Sequence, residues 1–92
     1  MTLPIRWTAR ARRNFGVLMA YIAEVNPDAA EQLSHRIESA VLPLSEHPYL
    51  YRTGRVAGTR EMVAHPNYLV VYRVLDAEIE VVNVLHARQR YP

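Results

Sequence analysis

The chain contains no cysteine, no lysine and only three glycines, and it has no long apolar run. Without cysteine there is no disulfide framework, no thiol nucleophile and no thiolate metal site. Without lysine every basic side chain is arginine, which binds phosphates and carboxylates through a planar fork but stays protonated and makes a poor general base. Gly16, Gly54 and Gly58 form no glycine-rich phosphate loop, which removes the pocket signature of a small nucleotide-handling metabolic enzyme. No stretch approaches the roughly 18 apolar residues of a membrane span, and Arg6 and Trp7 stand where a signal peptide would carry its apolar core. A cytoplasmic protein with no membrane partner is expected. His35, His47 and His65 have no ligand spacing, so neither a metal nor another cofactor is expected.

What is present is enough for one domain over residues 1–92, half of them hydrophobic, with room for a single core. The formal net charge is +2. Residues 1–46 carry five Arg against five acids and residues 47–92 carry six against four, so the excess sits in the second half. That is too little charge to establish a nucleic-acid partner, and no helix reads as a recognition helix for a plain binding module.

Taken in order, Leu3 to Trp7 suits a strand added to a later sheet. Thr8 offers an N-cap, and Ala11, Phe15, Leu18, Met19, Ile22 and Val25 follow at spacings of three and four, which predicts an amphipathic helix over Thr8 to Val25. Arg10, Arg13, Asn14 and Glu24 fall on its other face, read as a solvated surface. Asn26-Pro27 ends that helix and starts the next, because a residue before proline avoids the α region while Pro is favoured at the first helical position. Ala30, Leu33, Ile37, Ala40, Val41 and Leu44 continue the spacing, so the second helix runs to about Leu42 and Pro43 limits it. The two should form an antiparallel hairpin that covers one sheet face, with Leu18, Ile22, Leu33, Ile37 and Val71 buried between them. Ser45 to Ala57 reads as a loop.

Arg60 to His65, Tyr68 to Leu75 and Glu78 to His86 are strand-forming runs broken at His65-Pro66-Asn67 and Asp76-Ala77, a β-meander. The fold class is therefore α+β: a small twisted antiparallel sheet in the order β-α-α-β-β-β, with an N-terminal helical hairpin on one face. Arg60, Arg73, His86, Arg88, Arg90 and Tyr91 lie on or just beyond these strands. Each also has a plain structural reading. Arg60 and Glu61 suit a strand edge, Arg73 can pair across a hairpin with Glu78 or Glu80, His86 can close a strand, and Tyr91 can plug a core.

HP at 47–48, GTRE at 58–61, YLVVYRV at 68–74 and VLHARQRYP at 84–92, together with the element order, resemble the RelE/ParE superfamily of type II toxin-antitoxin toxins over essentially the whole chain. The resemblance implies a concave surface opposite the hairpin. It also implies a cognate antitoxin from an adjacent gene, acidic and partly disordered, that wraps the toxin.

Two mechanisms occur in that superfamily. RelE-like members cut mRNA on the ribosome, which needs a base near the ribose 2′-OH, an acid near the leaving oxygen and cations near the phosphate. Arg60, Glu61, His86 and Tyr91 are the candidate catalytic residues under that reading. ParE-like members poison DNA gyrase and need no such set. Met62 and Leu69 fall where well-known nucleases place basic residues, so the preferred reading is ParE-like, with mRNA cleavage and non-catalytic nucleic-acid binding as alternatives. Arg52, Arg55, Arg73, Arg88 and Arg90 are the candidates for contacting target or antitoxin.

Overall fold

The structure, a computed structural model, describes residues 2–91; Pro92, the last residue of the VLHARQRYP stretch, lies outside the described residues. Helix α1 spans Ala9–Val25, and the Thr8 hydroxyl accepts a hydrogen bond from the Ala11 amide at 3.0 Å. Asn26 then serves two helices. Its amide donates to the Ile22 carbonyl at 2.9 Å, and its side chain accepts from the Ala29 amide at 3.0 Å to cap α2, Pro27–Val41. An extended residue at this junction reverses the chain within one step. After α2 the backbone tightens into a 3₁₀ turn, Leu42–Ser45, in which Pro43 lacks the amide a further α turn would use.

Five strands follow the order β1-β5-β4-β3-β2, with β1 at Ile5–Trp7, β2 at Arg52–Thr53, β3 at Arg60–His65, β4 at Tyr68–Val74 and β5 at Ile79–His86. The α+β class and the helical hairpin are as expected, but the sheet is mixed rather than wholly antiparallel. β1 runs parallel to β5, with Ile5 opposite Ile79 and Trp7 opposite Val81. The two helices and strands β2 to β4 lie between these strands in sequence, the kind of long connection that parallel neighbours require. The stretch expected as a loop contributes the two-residue β2 to the outer edge of β3.

Strand side chains alternate between faces. Met62, Val70, Tyr72, Ile79, Val81 and Val84 face the hairpin and join Ala11, Ile37, Val41 and Leu44 in one apolar core. Tyr72 has no exposed surface, and its hydroxyl donates to the Pro48 carbonyl at 2.7 Å. Of the residues expected between hairpin and sheet, Ile37 is fully buried while Leu18, Ile22 and Leu33 are half-buried. Val71 is a correction. It is buried, but it lies between the core residues Val70 and Tyr72 in sequence and so projects to the other face. Among the described residues no helix is long and apolar enough to cross a membrane.

Candidate functional site

Glu61 projects from β3 on the face away from the hairpin, directly opposite Val71 on β4 and Arg52 on β2. Only 3% of it is exposed. A carboxylate removed from water needs donors, and three groups supply them, with a further guanidinium nearby. Arg52 Nη2 donates to Oε1 at 3.1 Å, the Arg55 backbone amide donates to Oε2 at 3.0 Å, the Tyr91 hydroxyl donates to the same oxygen, and Arg55 Nε stands 3.9 Å away. The Arg55 guanidinium also lies over the Tyr91 ring, 4.8 Å from its centroid.

The loop at residues 54–59 builds this clamp from local rules. The Gly54 amide donates to the Thr59 carbonyl at 2.7 Å, while the Thr59 amide and hydroxyl both donate to the Val56 carbonyl, at 3.1 and 2.6 Å. A Cβ on Gly54 would collide with the buried Thr59 hydroxyl, and Gly58 has a φ of +80°, a conformation that favours glycine. This folded loop aims the Arg55 amide at Glu61. From the other side, the Ala87 amide donates to the Asn67 carbonyl at 2.7 Å and the Gln89 amide to the His86 carbonyl at 2.9 Å. That turn sends the chain back across the sheet so that Tyr91 lands on Glu61.

Beside the clamp lies a cavity of about 220 Å³ lined by Arg10, Val56, Thr59, Val71, Arg73, Val82, Asn83 and Tyr91. Val82 is the extra residue of a bulge in β5, where the register slips between Val71 and Tyr72. Beyond Arg73 the same face carries a charged row: Arg73 Nη1 is 3.9 Å from Glu80, and Arg6 bridges Glu78, at 2.9 Å, and Glu80. The hydrogen bonds that Arg6 donates to Glu78 and then Glu80 push its guanidinium above its already high ordinary pKa.

The structure brings Glu61, Tyr91, Arg52 and Arg55 together. It does not bring Arg60 or His86 to them. Arg60 pairs with Tyr72 and projects to the hairpin side, where Nη1 donates to the Tyr51 carbonyl at 2.7 Å and the guanidinium lies 4.9 Å from the Tyr49 ring centroid. His86 is opposite Tyr68, whose ring is 5.3 Å away, and its Nδ1 accepts from the Arg88 amide at 3.1 Å. Arg88 and Arg90 are exposed and make no ion pair among the described residues. Among the described residues no cluster of His, Asp or Glu is suited to a metal ion.

Sequence reasoning missed Arg10, Thr59 and Asn83. Arg10 left a signal: α1 has no acid in its first turn and places Arg10, Arg12 and Arg13 near its positive end, the reverse of what the helix dipole favours.

The arrangement is one buried carboxylate ringed by donors, with exposed arginines beside it. The family model for the ParE toxin of type II toxin-antitoxin systems, parDE, matches residues 5–91. Y4kP of Sinorhizobium fredii, named as a toxin, is 43% identical over 89 residues, covering 96% of this chain and 92% of its own. Toxin RelE2 of Caulobacter vibrioides is 34% identical over 83 residues, covering 88% and 91%. A solved chain of the chromosomal ParDE system from P. aeruginosa superposes with a TM-score of 0.83 at 19% identity, covering 92% of this chain and 96% of that one, a likeness of fold alone.

Proposed function

This chain belongs to the ParE toxin family of type II toxin-antitoxin systems, within the RelE/ParE superfamily, and from that premise we propose that it arrests growth by binding and poisoning DNA gyrase. The observation that carries this reading is the division of the candidate catalytic residues between two sheet faces. Glu61 and Tyr91 meet on one, while Arg60 and His86 project on the other. RNA cleavage by proton transfer requires its acid and base within hydrogen-bond reach of the same ribose and phosphate. Here one carboxylate is already saturated by Arg52, Arg55 and Tyr91, and the histidine candidate, His86, faces α1. A surface inhibitor needs no such convergence.

Under the same reading the chain is held inactive by a cognate antitoxin, an acidic and partly disordered protein encoded beside it. The partner has two kinds of surface to cover. Exposed arginines line the open face, and Val17, Tyr21 and Val25 form an exposed apolar stripe along α1, next to a groove of about 380 Å³ that reaches Val84 and His86. A segment that orders on binding must offset its lost entropy over a large area, and these two surfaces together offer one.

A ribosome-dependent mRNA endonuclease is the competing reading, favoured by the Glu61–Tyr91 contact and by relatives named RelE. The test is purified protein with gyrase and plasmid, set beside the same protein with programmed ribosomes. Loss of supercoiling without mRNA cleavage is expected. Cleavage in the ribosomal A site with gyrase untouched would replace this reading with the nuclease one.

A further inference from the structure

We infer that the open-face cavity between Arg10, Arg73 and Asn83 binds the carboxylate of one acidic side chain from a protein partner, an inference that rests on the toxin-antitoxin reading. The polar groups that reach this cavity are almost all donors. Arg10 has no ion pair among the described residues, and Arg73 reaches Glu80 only at 3.9 Å while Glu80 is also held by Arg6. Asn83 Oδ1 accepts from Asn14 Nδ2 at 2.8 Å and from the Val84 amide at 2.9 Å, which orients the Asn83 NH₂ group as a further donor. The Thr59 hydroxyl is spent on the Val56 carbonyl and the Tyr91 hydroxyl on Glu61. Among the described residues no carboxylate lines the space.

Arg10 contributes nothing evident to folding where it stands. It occupies the first turn of α1 without an acidic partner, against the direction the dipole favours, so an anion brought to this spot relieves an existing repulsion. Two guanidiniums and an amide give a carboxylate the charge-assisted, forked contacts it accepts best.

Shape and surroundings select one acidic side chain over a nucleic-acid strand. Val56, Val71 and Val82 line it, which suits the aliphatic stem of a glutamate, and about 220 Å³ holds one short side chain. The single aromatic ring, Tyr91, has the Arg55 guanidinium over it, so no free stacking platform is offered to a base. Past Arg73, Glu78 and Glu80 would repel the next phosphates of a running polyanion.

The probes are an acetylated, amidated peptide of four Ala-Glu repeats, its Ala-Gln counterpart and a single-stranded RNA of eight uridines, each titrated into the full chain while the Val71 and Val82 methyl resonances are followed. The glutamate peptide is expected to move these signals and the glutamine peptide to leave them. Arg10→Gln and Arg73→Gln should each weaken binding about tenfold, the loss of one charge-assisted contact, while Arg12→Gln should not. Should Arg73→Gln misfold by circular dichroism, the exposed Arg10→Gln decides alone. Unmoved methyls with the glutamate peptide, or movement by the RNA and not by the peptide, would overturn the inference. Peptide binding that persists in a protein found inactive on gyrase would sink the gyrase reading and leave this site standing.

Discussion

The two faces of the sheet are built by different physics. The face under the hairpin is closed by Met62, Val70, Tyr72, Val81 and Val84 against Ile37, Val41 and Leu44, all apolar except one tyrosine hydroxyl that finds a carbonyl. The open face is also buried in part, at Leu69, Val71 and Leu85, yet its centre is a carboxylate. Burial of apolar area stabilises the first without demanding direction, whereas the second depends on donors placed to within tenths of an ångström. The lesson is that the covered face holds the fold, and the open face holds two irregular segments, the 54–59 loop and the C-terminal turn, in place over the sheet.

The comparison breaks most sharply at Ile37. Replacing it with Ala should destabilise the protein by about 2 to 5 kcal/mol, because the site has no exposed surface and no room to refill. Leu33→Ala, at a half-buried position, should cost clearly less. Thermal or urea melts of both variants check the order.

Glu61→Gln is the matching test on the open face. It keeps the shape but removes the charge that Arg52, Arg55 and Tyr91 surround, and about 1 to 3 kcal/mol should be lost. The lower end is expected, since the Arg52 and Arg55 side chains are 61% and 48% exposed and water can take over their donors. Proteolysis at Arg88 and Arg90 should speed up in this variant as Tyr91 loses its anchor, whereas Ile37→Ala should raise cleavage throughout the chain.

Tyr72→Phe tests the one polar atom inside the apolar face. Losing the hydrogen bond to Pro48 should cost about 0.5 to 1.5 kcal/mol at neutral pH. Burial pushes the Tyr72 hydroxyl pKa above the ordinary 10.0, against a smaller opposing pull from Arg60. The folded state therefore holds this proton more tightly than the unfolded chain does. Its contribution is complete below about pH 10 and is lost as pH rises through the folded value, so alkaline unfolding should be shallower in Tyr72→Phe.

The smallest effect belongs to Arg73. Its one ion pair among the described residues is long and partly exposed, so Arg73→Gln should change stability by less than about 0.5 kcal/mol by thermal melting.

The covered face was legible in the sequence because its signals are local. Thr8, Asn26 and Pro27 mark the helix ends to within a residue, and the strand-forming run YLVVYRV between two turn signals places β4. Period alone could not say which of Val70 and Val71 meets the hairpin, since every residue from Leu69 to Tyr72 is buried. β2 was hidden because a two-residue strand has no period. The direction of β1 was hidden too, since five residues before a helix carry no record of their partner. The open face was the least legible. Arg52, Arg55, Glu61 and Tyr91 could be named as charged or terminal residues, but their meeting depends on a loop turned by Gly54 and Gly58 and on a chain reversal after His86.

The claim that rests most heavily on this two-faced design is that toxicity needs a surface and not a catalytic set drawn from both faces. The most direct measurement is a dose-response for inhibition of gyrase supercoiling by the wild-type protein and by His86→Ala, with ribosomal mRNA cleavage measured on the same preparations. Supercoiling inhibition is expected at matching concentrations for both proteins, with no cleavage from either. Ribosomal cleavage by the wild type that His86→Ala abolishes, with gyrase unaffected by both, would contradict it.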